Sequence, residues 1–157
     1  MSGAKGPIVL ALDLATKTGY ALMHIRKDGI GRLIDSGTIR FPGPLRERAS
    51  HLERWLEDYC KRNKVTEIHF EQTHFRFVKA AAAGYTLRAV TWLVANRLGI
   101  STEGYQPSEI KRSATMRGNA SKDEMIVAAK GRWGFLPQDD NEADALCLLD
   151  LATKNRI

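Results

Sequence analysis

One α/β domain with a mixed sheet is the fold this chain predicts, and three observations predict it. Three short apolar strand-like runs come first, later strand-like runs are separated by helix-length segments, and no linker or repeat interrupts the 157 residues. Leading strands in succession make an antiparallel meander, whereas strands reached through helices arrive parallel, so the sheet is mixed with helices on its faces. A chain of this length is expected to form a single domain over 1–157.

Ile8 to Leu14 is a nearly continuous apolar run ending at an aspartate, and Gly19 to Ile25 follows a Thr-Lys-Thr turn, which reads as a hairpin. Gly31 to Phe41 is a third strand, closed by Phe41-Pro42-Gly43-Pro44. From about Pro44 to Asn63, Leu52, Trp55, Leu56 and Tyr59 fall on one helical face. Val65 to Glu71 is a fourth strand ending in an acid, Ala80 to Leu98 a second helix and Gly99 to Tyr105 a fifth strand. Pro107 to Ala114 starts at a proline as helices often do, and Ser121-Lys122-Asp123-Glu124 is a capping box for a helix reaching about Trp133. Asp140 or Asn141 caps a last helix carrying Ala145, Leu146, Leu148, Leu149 and Leu151. Trp55, Trp92 and Trp133 fall at helical core positions.

Composition narrows the function. With 43% hydrophobic and 27% charged residues the chain is not of the disordered type. No apolar run reaches the ~20 residues of a membrane span, because Ala80 to Ile100 is broken by Gly84, Arg88, Asn96 and Arg97. Met1 to Gly6 lacks the pattern of a secretion signal, so a cytoplasmic protein without a membrane partner is expected. Cys60 and Cys147 are too few for a disulfide framework and read as reduced structural thiols. The net charge of +6 is at the level that raises a nucleic-acid partner. Six cations, Lys111, Arg112, Arg117, Lys122, Lys130 and Arg132, face three acids between Pro107 and Arg132, which places half the net charge there. Such a patch attracts phosphates without regard to sequence.

Three acids stand where chemistry is plausible. Asp13 ends the most apolar strand, where a carboxylate is costly unless paired or bound to a cation; its plain reading is a cap on the turn through Thr16 or Thr18. Glu71 repeats the pattern, with an exposed strand-end acid as the alternative. Asp144 lies one turn into the last helix amid Ala143, Ala145 and Leu146, and spacing of three puts Asn141 on its face. Asp139, Asp140 and Glu142 are explained as first-turn complements to the helix dipole. If Asp13, Glu71 and Asp144 converge, they form an all-oxygen site suited to Mg²⁺ or Mn²⁺, and two such ions would serve phosphodiester hydrolysis. Thr73 to Lys79 interleaves aromatics and cations (His74, Phe75, Arg76, Phe77, Lys79), as where opened bases are stacked upon; packing under the second helix is the alternative. His24, His51 and His69 show no ligand spacing.

These residues resemble RuvC-type Holliday junction resolvases, members of the ribonuclease H-like nuclease group, from about Ile8 to Ala152. Leu10 to Ala21, with Asp13 and Gly19, is similar to the first family strand, its catalytic Asp and the Gly-led second strand. Phe70-Glu71-Gln72 matches the strand-end Glu-Gln, Glu109 to Thr115 with Gly118 to Lys122 the segment bearing two lysines, and Glu142 to Leu146 the closing acid motif. Asp-x-x-x-x-x-Gly alone also resembles the phosphate loop of actin-like ATPases, but that fold needs two such domains.

The resemblance implies a ribonuclease H-like five-stranded sheet with helices on both faces, and a homodimer that resolves four-way junctions and branched DNA by paired nicks. It implies two Mg²⁺ ions per site, replaceable by Mn²⁺, held by Asp13, Glu71 and Asp144, with Lys111 and Lys122 at the scissile phosphate. A fourth ligand is implied three residues before Asp144, where this chain has Asn141; Asp140 is the adjacent carboxylate. Of the basic and aromatic residues, His74, Phe75, Arg76, Phe77, Lys79, Lys111, Arg112, Arg117 and Lys122 are the expected DNA contacts, with Phe75 or Phe77 as the wedge. Two rival readings remain at this stage: a junction-binding protein without cleavage, suggested by Asn141, and a ribonuclease H-type enzyme acting on RNA/DNA hybrids.

Overall fold

The computed structural model describes residues 5–72, 77–154 and 156. Its elements follow the expected order: β1 (Ile8–Asp13), β2 (Lys17–Ile25), β3 (Gly31–Arg40), α1 (Leu45–Asn63), β4 (Glu67–Glu71), α2 (Val78–Leu98), β5 (Ser101–Tyr105), α3 (Pro107–Thr115), α4 (Lys122–Trp133) and α5 (Asp140–Thr153). The five strands lie in the order β3-β2-β1-β4-β5. β2 is antiparallel to both β1 and β3, while β4 is parallel to β1 and β5 parallel to β4, so the sheet is mixed as expected.

Two strands begin later than their apolar content suggests, for one physical reason. Lys64 closes α1 in the left-handed region and the Val65 N–H bonds back to the Cys60 carbonyl at 3.0 Å. Gly99 closes α2 in the same conformation, and the Ile100 N–H returns to Ala95 at 2.8 Å. The residue after each cap is spent on the helix end and cannot join the ladder.

Alternation along the strands gives the sheet two cores. Leu10, Leu12, Leu22, Ile68 and Phe70 pack with α1 and α2, whereas Val9, Ala11, Ala21, Met23 and Ile25 pack with α3, α4 and α5. Cys60 lies in the first core and Cys147 in the second, both as buried free thiols. Trp55 and Trp133 are partly buried against these cores, but Trp92 is 44% exposed, contrary to the core position read for it. α2 is apolar around most of its circumference, so spacing alone could not tell its packed side from its outer one. None of the described helices is long and apolar enough to cross a membrane.

Candidate active site

The site grows from strand register. Asp13 pairs with Gly19 across β1 and β2, Gly19 pairs with Thr38 across β2 and β3, and Glu71 pairs with Tyr105 across β4 and β5. Leu12 is level with Phe70, so the next residues, Asp13 and Glu71, end their parallel strands side by side. Thr38, Gly19, Asp13, Glu71 and Tyr105 thus form one transverse row across the sheet. By alternation Asp13 continues the series Val9, Ala11, which faces α5.

α5 begins directly above this row. A β-carbon on Gly19 would run into the Asn141 carbonyl, so the glycine is what lets the helix start lie on β2 opposite Asp13. The N-cap is Asp139, not Asp140 or Asn141: its carboxylate accepts the Glu142 N–H at 3.0 Å and the Thr38 hydroxyl at 2.6 Å. Three successive residues could each cap a helix, and the partner on β3 selects the first. Asp140 and Asp144 then lie one turn apart.

Glu71 and Asp144 line a pocket of about 300 Å³ together with Pro107, Ile110, Lys111, Ala120, Ser121, Lys122 and Met125. Burial, then Glu71, Asp144 and Asp140, hold the Asp13 carboxyl well above the usual carboxylate range. Burial and the charges of Glu71 and Asp140 push Asp144 up to about 7, against the pull of Lys111 and Lys122. Lys122 Nζ lies 3.2 Å from Asp140 Oδ2, and this bond raises the lysine's own pKa. Asp13, Glu71, Asp140 and Asp144 are therefore brought together, with Lys111 and Lys122 on the pocket wall. Asn141 is not turned the same way: its side chain hydrogen-bonds the Asp139 carboxylate, which stays below its usual range although burial opposes ionisation.

The donor set suits a hard divalent cation, since all the converging groups are oxygen donors and their mutual repulsion is what such an ion relieves. Among the described residues, no three His, Cys, Asp or Glu side chains yet stand close enough to enclose an ion. Asp13, Glu71 and Asp144, with Asp140, are the groups that would hold it.

The expected DNA contacts divide. His74, Phe75 and Arg76 lie outside the described residues. Phe77, the N-cap of α2, is 76% exposed, so packing under that helix does not account for it. Lys79 and Arg112 are exposed, and Arg117 pairs with Glu124 at 3.6 Å. His69 is buried between Glu67 and the Tyr105 hydroxyl, each at 3.0 Å, a structural role. Sequence reasoning missed Ser36 and Thr38, the hydroxyls that bind the start of α5. Their only trace in the chain is a pair of hydroxyl residues two apart on a strand, with partners 106 and 101 residues away.

A mixed sheet of this order, with acids on neighbouring strand ends facing another on a helix and lysines beside them, defines the nuclease class of the ribonuclease H-like fold. The chain belongs to the family described as Crossover junction endodeoxyribonuclease RuvC, whose pattern matches residues 9–149. A relative of that name from Brachyspira hyodysenteriae is 30% identical over 155 residues, covering 96% of each chain. Another from Anaeromyxobacter sp. strain K is 28% identical, covering 90% of this chain and 77% of its own. Among solved structures, Thermus thermophilus RuvC in complex with Holliday junction substrate superposes with a TM-score of 0.81 at 20% identity, covering 96% and 95% of the two chains. Fowlpox virus resolvase, also bound to junction DNA, gives 0.62 at 12% identity over 94% and 97%.

Proposed function

We propose that the chain is a structure-selective DNA endonuclease that resolves Holliday junctions by metal-dependent phosphodiester hydrolysis, making paired symmetric nicks as a homodimer. The observation that carries this reading is that Asp13 and Glu71 end adjacent strands beside Asp144 of α5, with Glu71 and Asp144 lining a pocket walled by Lys111 and Lys122. Asp13, Glu71, Asp144 and Asp140 would hold two Mg²⁺ ions, or Mn²⁺ in their place, and bound Mg²⁺ supplies Lewis-acid stabilisation and an activated water. Lys111 and Lys122 neutralise charge on the scissile phosphate from the pocket wall. Asp140 takes the ligand position that Asn141 leaves, because the Asn141 side chain is engaged by Asp139. That weakens the case for a binding-only protein.

Two opposed nicks need two sites related by a two-fold axis matching the junction. On α2, Val78, Tyr85 and Trp92 recur at seven-residue spacing and are 87%, 48% and 44% exposed, with Leu93 at 60%, an apolar stripe fitting a second copy. Leu87 and Val94 belong to the core instead. Phe77 and Lys79, exposed at the start of α2, would meet DNA beside the site, as would Arg112 and Arg117.

The test is a gel assay on a labelled four-way DNA junction, a linear duplex and an RNA/DNA hybrid, each with Mg²⁺ or EDTA. Paired junction nicks that require Mg²⁺ are expected. Cleavage of the hybrid alone would transfer the protein to ribonuclease H chemistry, and tight junction binding without nicks would make it a binding protein.

A further inference from the structure

The first turn of α5 is fastened to edge strand β3 by two carboxylate–hydroxyl bonds. Thr38 Oγ1 donates to Asp139 Oδ1 at 2.6 Å and Ser36 Oγ donates to Glu142 Oε1 at 2.7 Å. Both acceptors also serve the helix start: Asp139 takes the Glu142 N–H, and Glu142 Oε2 takes the Gln138 N–H at 2.5 Å. Glu142 is only 5% exposed, a burial a carboxylate sustains when its oxygens are hydrogen-bonded.

The position of these anchors matters more than their number. Thr38 stands in the same transverse row as Gly19, Asp13 and Glu71, so the turn bearing Asp140 and Asp144 is fixed at the level where it faces the strand-end acids. Burial and mutual repulsion oppose the ionisation of Asp13 and Asp144, and when the acids are ionised together that repulsion pushes the start of α5 away from the strand ends. A cap alone needs no partner on β3, since Asp139 already accepts the Glu142 N–H. The hydroxyls add a tether between helix and sheet on the very turn that the repulsion pushes.

We propose that Thr38 and Ser36 are positioning residues for the metal-binding acids: they hold the first turn of α5 against the repulsion among Asp13, Glu71, Asp140 and Asp144, so that the acids of α5 already face those of the strand ends when a cation arrives. This rests on the reading of those acids as metal ligands. Edge strand β3, which contributes no ligand, is then part of the machinery, in the way that groups behind metal ligands tune affinity.

The experiment uses DNA-free protein at pH 8, comparing wild type with Thr38→Val, Thr38→Ser, Ser36→Ala and Thr38→Val/Asp13→Asn. Mn²⁺ affinity is measured by calorimetry, and amide hydrogen exchange is followed at Glu142 and Ala143. Thr38→Val is expected to weaken Mn²⁺ binding about tenfold and to speed exchange in the first turn of α5 by a similar factor. Thr38→Ser restores both readouts. Asp13→Asn in the Thr38→Val background slows exchange part of the way back toward the wild-type rate, because one of the four repelling acids is gone; an ordinary cap would stay equally frayed. Wild-type affinity and exchange in both Thr38→Val and Ser36→Ala overturn the proposal, as does fraying that is undiminished in the double variant. A wild type that binds no Mn²⁺ removes the ligand reading, while the exchange arms still decide whether the tether opposes repulsion.

Discussion

The two faces of the sheet are built from alternate residues of the same strands yet obey different rules. On the α1–α2 face the strands present Leu10, Leu12, Leu22, Ile68 and Phe70, and the helix replies with Leu52, Leu56 and the rings of Trp55 and Tyr59. Trp55 and Tyr59 stack at 5.0 Å between centroids, and Tyr20 meets both rings edge-on or tilted. On the α3–α5 face the central strand residues are Ala11, Ala21 and Gly19, opposed by Ala143 and Ala145 of α5. Bulk on one face fills volume and stabilises; small residues on the other allow α5 to approach until its acids meet those of the strands. The α3–α5 face gives up packing volume where the acids of α5 approach those of the strand ends, whose ionisation it opposes.

The largest effect that separates the faces is on activity. Asp13→Asn should lower junction cleavage by about 10³-fold or more while leaving junction binding intact. The same change should raise the melting temperature of the metal-free protein at pH 8, because it removes a carboxylate whose ionisation the fold opposes. A fall in melting temperature would contradict the repulsion argument. Leu56→Ala, on the opposite face, should cost about 2–5 kcal/mol in urea unfolding and leave Mg²⁺ affinity at the wild-type value. Coupled loss of metal binding there would erase the distinction.

Gly19→Ala tests how closely α5 must approach. The added methyl meets the Asn141 carbonyl, so metal binding should fall about tenfold or more before the fold is lost. Retained affinity would show that the helix start can shift without consequence. The smallest effect is one of pH. Asp144 is pushed up to about 7 in the fold, so its contribution to metal-free stability declines as pH rises from about 4 to about 7 and is level above. Mg²⁺ requires the ionised form, so its gain in melting temperature should be slight at pH 5 and full at pH 8. A gain independent of pH across that range would place the acids elsewhere.

Much of this was legible in the chain. The element order followed from periodicity and turn residues, and Asp13, Glu71 and Asp144 stood out as acids among apolar neighbours. What escaped was set by distant partners. Asp139, Asp140 and Asn141 cap equally well on local grounds, and only Thr38, on a strand a hundred residues earlier, decides between them. The exposure of Trp92 is invisible to spacing because α2 lacks a polar stripe to mark its outer side. The later starts of β4 and β5 follow from helix caps that consume an N–H each, a cost invisible to apolar pattern.

The most direct test of the whole account is single-turnover cleavage of a labelled four-way junction by wild type, Asp13→Asn, Glu71→Gln and Asp144→Asn, with Mg²⁺ titrated in each. Paired nicks by wild type, with loss of cleavage in all three variants and junction binding preserved, are the predicted result. Full cleavage by any one variant, or wild-type nicking undiminished in EDTA, would contradict a single metal site built from both strand ends and α5.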